Sequence, residues 1–186
     1  MLVHKINFKV HGSSYCNENN IEIQEEIAHI LKEYKKNNWF NQLYGGYTKR
    51  EIIDMNLSVS EYEGYIFSGS LKKDAYANET CYKVYIDTFD NKKFHIGYVP
   101  KNIIEEITQW LNKEDLKCIT NIEIIGGKCK HYVLKQENYN DIETVETEFL
   151  NYGFKVELRF CNNLPLSNDK QEKKKENFLH KIFNRK

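Results

Sequence analysis

The sequence predicts an α+β fold: a small antiparallel barrel or curled sheet of about six to seven strands, carrying accessory helices. Three observations predict it. Short runs in which every second residue is apolar recur along the chain; three longer stretches switch to the 3.6-residue period of amphipathic helices; and the strands follow one another like a meander, without the strand–helix alternation of a doubly wound sheet.

The first run is Ile6, Phe8 and Val10, alternating with Lys5, Asn7 and Lys9, a half-buried strand that ends at His11-Gly12. After a polar turn over residues 13–20, Ile23, Ile27, Ile30, Leu31 and Tyr34 fall on one face of a helix that runs to about Lys36. Residues 37–46 form an aromatic loop with Trp39, Phe40 and Tyr44. Thr48 then precedes Glu51 by three residues, a capping box that opens a short helix from Lys49 to about Met55.

Residues 57–71 are rich in Tyr, Ile and Phe and read as one extended segment. Residues 82–89 and 94–99 read as a hairpin joined by Asp90-Asn91-Lys92-Lys93. Pro100 ends that pattern, and Ile103, Ile104, Ile107, Trp110 and Leu111 mark a second amphipathic helix. Residues 119–125 and 129–134 read as another hairpin turning at Gly126-Gly127, where positive φ costs little. Ile142, Val145, Phe149 and Leu150 then predict a helix capped by Gly153, and Phe154, Val156, Leu158 and Phe160 a last strand.

The 186 residues fit one core. No apolar run is long enough to cross a bilayer, and the first residues lack the apolar stretch of a secretory leader, so no membrane is expected and the cytoplasm is. Five scattered cysteines without a CxxC pair suit reduced thiols better than a disulfide framework. The formal charge is zero, but residues 170–186 hold seven Lys or Arg against two Glu, which leaves residues 1–169 at −5. Such a body binds polyanions poorly as a whole, because that affinity comes from counterions displaced along clustered cations. Any nucleic-acid contact therefore needs a local patch or the tail.

No residue set reads as catalytic. Gly126-Gly127-Lys128 lacks the spacing of a phosphate loop and is flanked by strands. Cys129 and His131 share a strand face and His95 or Cys118 is available to join them, but no second closely spaced pair completes a zinc site, and no cofactor is expected. No nucleophile signature such as GxSxG occurs, and Glu25, Glu26, Glu105 and Glu106 sit on polar helix faces.

Thirteen tyrosines carry more information. Tyr15, Tyr76 and Tyr98 fall at turns or strand ends, where a ring either stacks on a base or packs at the rim of the core with its hydroxyl in water. In the tail, Phe178, Leu179, Ile182 and Phe183 form an apolar stripe amid Lys and Arg. It suits a partner groove, nucleic acid or an anionic membrane, and equally a terminus that docks back on the body.

Four pieces in order, Phe8-Lys9-Val10-His11-Gly12, Tyr44-Gly45-Gly46-Tyr47-Thr48-Lys49-Arg50-Glu51-Ile52, Tyr82-Lys83-Val84-Tyr85 and Ile96-Gly97-Tyr98-Val99-Pro100-Lys101, make the chain resemble the HIRAN domain family over residues 5–135. The resemblance implies an OB-like antiparallel β-barrel with accessory helices, a module of eukaryotic DNA-remodelling helicases and of stand-alone bacterial and phage proteins that captures single-stranded DNA, free 3′ ends included. By position it places Tyr15 to stack on a terminal base. With one gap, Asp74, Tyr76 and Asn78 match the family's acidic and amide loop, and Lys101, at a helix start, is placed either to pair with a phosphate or to stand solvated.

The expectation is thus a HIRAN-like domain over residues 1–135, a helix–strand extension over 136–165 packed on it, and a basic, flexible tail over 166–186. The function expected is non-catalytic binding of single-stranded nucleic acid, DNA ahead of RNA, in repair, replication or a phage setting, through Tyr15, Asp74, Tyr76, Asn78, Tyr98 and Lys101. The alternative is a protein-interaction domain that keeps the fold without the DNA pocket and meets its partner through Trp39, Phe40 and Tyr44 or through the tail.

Overall fold

A strand with one apolar face must lay that face on something, and here an amphipathic helix and the curl of the sheet itself provide it. The computed structural model describes residues 1–17, 19–76, 79–88, 90, 92–137 and 140–162, with the backbone alone at Tyr76, Glu137 and Asn140. β1 (Leu2–Lys9) buries Ile6 and Phe8 and turns Lys5, Asn7 and Lys9 outward. The helix α1 (Ile23–Lys36) buries Ile23, Ile27, Ile30, Leu31 and Tyr34, with Glu25 and Glu26 in its first turn and Lys35 and Lys36 in its last, the placement that complements the helix dipole. The helix α2 (Lys49–Asp54) opens with the expected capping box: the Glu51 amide donates to Thr48 Oγ1 at 3.2 Å and the Thr48 amide to Glu51 Oε2 at 2.8 Å. The helix α3 (Ile104–Leu111) follows Pro100 through one 3-10 turn, Lys101–Ile103.

The remaining strands are β2 (Ser58–Ser60), β3 (Ile66–Tyr76), β4 (Glu79–Asp87), β5 (Lys93–Tyr98), β6 (Leu116–Glu137) and β7 (Asn140–Asn162). All seven strands lie in one antiparallel sheet of order β1-β7-β6-β3-β4-β5, with β2 paired to β6. Among the described residues no ladder joins the outer strands β1 and β5, so the sheet is not closed. Its two ends nonetheless touch at one bridge, where His11 and Tyr98 exchange backbone hydrogen bonds of 2.9 and 2.8 Å. The curled inner face, with Phe67, Val84, Ile86, Ile96, Ile122, Ile124, Phe154, Val156, Leu158 and Phe160, meets α1 and Ile107 of α3 in a single core.

Three expectations give way. The stretch 57–71 is not continuous, because a turn over residues 61–64 separates β2 from β3. Gly126-Gly127 is not a hairpin turn: β6 runs straight through it, and both glycines take positive φ (84° and 70°) at a register slip between Ile125 and Gly127. A Cβ on Gly126 would stand 2.2 Å from the Asn151 carbonyl oxygen, so the pair makes a β-bulge, which uses the same backbone freedom as a turn. Residues 142–150 are not a helix and Gly153 is not its cap; they belong to β7, which pairs with β6 from Leu116↔Asn162 to Glu137↔Asn140. Thr144, Val145 and Thr147 are stiff β-branched residues that favour a strand, and no two-residue alternation of burial runs through the stretch to announce it. β7 lies between β1 and β6, and the boundary expected at residue 135 falls inside β6.

Candidate functional site

The site begins with the bridge. Gly97 has φ of 132° and lies so close to β1 that a Cβ would meet the His11 carbonyl oxygen at 2.3 Å and Val10 Cγ1 at 2.6 Å. Only glycine lets β5 cross the end of β1 at that distance. The crossing fixes Tyr98 against Gly12, whose Cβ would lie 3.6 Å from the Tyr98 ring. The buried His95 packs edge-on to the same ring, 4.9 Å between centroids, and its Nε2 lies 3.0 Å from the Gly97 carbonyl oxygen.

Around this crossing lies a groove of about 440 Å³, lined by His11, Glu79, Thr80, Cys81, Tyr98, Val99, Lys101 and Ile104. Its floor is apolar (Val99, Ile104) and its walls offer an aromatic ring, an imidazole and an ammonium group. Lys101 Nζ is held 2.5 Å from Glu79 Oε2, with both side chains largely exposed. The groove continues along α3 past Asn102, Glu105, Thr108, Gln109 and Asn112.

Tyr15 is 76 % exposed in the turn that follows Gly12, and it does not line the groove. Its loop is nevertheless pinned. The Tyr15 amide donates to the Gly12 carbonyl at 3.2 Å, the Ile23 amide to the Tyr15 carbonyl at 3.3 Å, and Gln24 Nε2 to the carbonyls of Ser13 and Tyr152, both at 2.8 Å. Gln24 Oε1 also accepts from the Tyr152 amide at 2.7 Å, so one side chain ties α1, the Tyr15 turn and β7 together.

Asp74 stands on β3 opposite Cys81 and outside the groove lining, with its carboxylate 2.7 Å from Lys83 Nζ. The Lys83 hydrogen bond, aided by the Ala75 amide, holds the Asp74 carboxyl below the usual Asp value. Desolvation and the nearby Asp74 charge push the Cys81 thiol up, away from the reactive thiolate. Tyr76 contributes only its backbone to the description, and Asn78 and the basic tail lie outside the described residues.

The structure thus brings Tyr98 and Lys101 together, leaves Tyr15 outside the groove on the turn that starts at Gly12, and leaves Asp74 a strand away. Sequence reasoning missed His11 as a groove wall and Glu79 as the partner of Lys101; the only signal for His11 was its place at the end of the first strand, before Gly12. The aromatic loop does not form a flat apolar patch. Phe40 packs inward between Tyr62, Tyr65 and Phe67, Tyr44 lies half-buried under Lys130 Nζ at 3.9 Å from its ring, and Trp39 alone of the three is exposed, at 57 %. Among the described residues no group of three or more His, Cys, Asp or Glu is placed to hold a metal ion, no helix is long and apolar enough to cross a membrane, and the five cysteines form no disulfide. No family model, no curated protein and no solved structure matches this chain.

Proposed function

We propose that the chain is a non-catalytic, cytoplasmic module that binds single-stranded nucleic acid, DNA ahead of RNA, in the groove between the end of β1 and the start of α3, on an OB-like barrel. The observation that carries the reading is the joining of Tyr98, His11 and Lys101 around one apolar-floored groove, with the exposed Tyr15 on the adjoining pinned turn. A base stacks on Tyr98, a contact worth about 1–3 kcal/mol per base and indifferent to base identity. Lys101 takes the phosphate, and releasing it from Glu79 costs little, since an exposed ion pair is worth about 0–1 kcal/mol. Tyr15 covers a terminal base, consistent with the resemblance to the HIRAN family and its preference for free 3′ ends. The two-bond bridge between the outer strands supports the barrel reading, since it brings the sheet's ends to the point of closure.

The test is fluorescence anisotropy with short labelled single strands bearing a free or a blocked 3′ end. Binding that Tyr98→Ala weakens about 5- to 150-fold, and that blocking the end also weakens, supports the reading. Binding unmoved by both sinks it.

One observation favours a second reading, a protein-interaction domain. Past the residues that pair with β2, β6 and β7 continue as a two-stranded ribbon with no further strand partner among the described residues, and Leu134 and Ile142 are exposed on it. Failure to bind any strand, with a partner recovered only when this ribbon is intact, would put that reading in front.

A further inference from the structure

The outward face of β1, β7 and β6 is charged in a way that folding alone does not explain. Register places Lys5 directly opposite Arg159 and Lys9 directly opposite Lys155, with Asn7 opposite Glu157 between them. Like charges facing each other across a ladder destabilise it, and here two such pairs share one face. The next strand offers Ile119, Asn121 and Glu123 opposite Arg159, Glu157 and Lys155.

Four cations therefore share two carboxylates. Glu157 serves both Lys5 and Arg159, Glu123 lies 3.6 Å from Lys155, and Lys9 has no ion pair among the described residues. A shallow groove of about 420 Å³ runs over this face, lined by Asn7, Lys9, Asn121, Glu123, Lys155 and Arg159 among others. On a body whose first 169 residues carry −5, this is a local excess of positive charge.

The row leads to the site already described. Lys5, Asn7, Lys9 and His11 alternate with the buried Ile6, Phe8 and Val10, and His11 is a wall of the Tyr98 groove. From Lys5 to His11 the row spans about 20 Å, with same-face neighbours about 6.8 Å apart. We propose that this face is the track for the body of the bound strand: Lys9 and Lys155, with Lys5 and Arg159 beyond them, contact successive phosphates of a single-stranded nucleic acid whose end lies in the Tyr98 groove. The proposal rests on the groove reading for the strand's end and adds where the rest of the strand runs.

The experiment compares the full chain with Lys9→Gln/Lys155→Gln and with Tyr98→Ala, using labelled single strands of about four and about sixteen nucleotides. Affinities are read by anisotropy at about 50 and 200 mM salt, with polyglutamate as a competitor. Both substitutions are at exposed positions, and an unchanged melting curve verifies the fold. Neutralising two phosphate contacts lowers the slope of log affinity against log salt by about 1.4 on the long strand, so the parent loses about sevenfold more affinity than the variant over that salt range. The short strand binds both proteins equally. A long strand held by the double variant as tightly and with the same slope as by the parent overturns the track, as does polyglutamate competing as well as the strand. If the double variant weakens the long strand while Tyr98→Ala changes neither, the track stands and the groove reading falls. If the parent binds neither strand, both fall.

Discussion

Replacing Gly97 with alanine tests how much of the architecture hangs on one crossing. The new methyl would stand 2.3 Å from the His11 carbonyl oxygen and 2.6 Å from Val10 Cγ1, on a backbone with φ of 132°. The backbone conformation itself costs an L residue about 1–3 kcal/mol. The clash is with backbone, so β5 must retreat from β1, and the two hydrogen bonds of the His11–Tyr98 bridge contribute about 1 kcal/mol each. The sum is about 3–5 kcal/mol, against a stability of about 5–15 kcal/mol for a typical domain. Gly64→Ala is the matched control, since Gly64 also has positive φ (81°) but nothing lies within 4 Å of its would-be Cβ. Denaturant titration followed by circular dichroism gives both values. Gly97→Ala should unfold at a clearly lower midpoint than Gly64→Ala, which should cost only about 1 kcal/mol. Equal losses would refute the reasoning, because backbone strain would then account for everything and the crossing for nothing.

Gln24→Ala removes three hydrogen bonds to backbone and should cost about 2–4 kcal/mol, with proteolysis appearing first in the Tyr15 turn; cleavage elsewhere would contradict the pinning role of Gln24. Lys9→Glu replaces a like-charge cross-strand pair by an attractive one and should raise stability by about 0.2–1 kcal/mol in a thermal melt, whereas a drop would remove the argument from register. Because the Asp74 carboxyl is held below its ordinary value of 3.8, the contribution of its pair with Lys83 is fully present above about pH 4 and is lost as pH falls through the lower folded-state value. Asp74→Asn should therefore lower stability near neutrality and flatten the acid limb of a stability-versus-pH profile, so that the two profiles converge at low pH; equal acid limbs would show that the pair does not contribute.

Local chemistry made part of this legible. β1, α1, α3 and the Thr48–Glu51 capping box each bury one side and wet the other, so their periods stand in the sequence. The same reasoning failed at Gly126-Gly127 because a hairpin turn and a bulge need the same positive φ, and only the length of the partner strand distinguishes them. It failed at residues 142–150 because no two-residue alternation of burial runs through them, and Ile142, Val145 and Phe149 happen to fall at helical spacing. In the site, Tyr98 and Lys101 were within reach because they are neighbours in the chain. His11 was not, since its place in the groove depends on a crossing between the first and fifth strands, and the opposition of Lys9 to Lys155 depends on the register of the first and last.

The most direct test of the central claim is to titrate isotope-labelled protein with a short single-stranded DNA and map the amide and side-chain shifts by NMR. The account predicts saturable shifts centred on Gly97, Tyr98 and Lys101, extending to the Gly12–Tyr15 turn. Shifts confined to the ribbon around Leu134 and Ile142, or none at all, would contradict it.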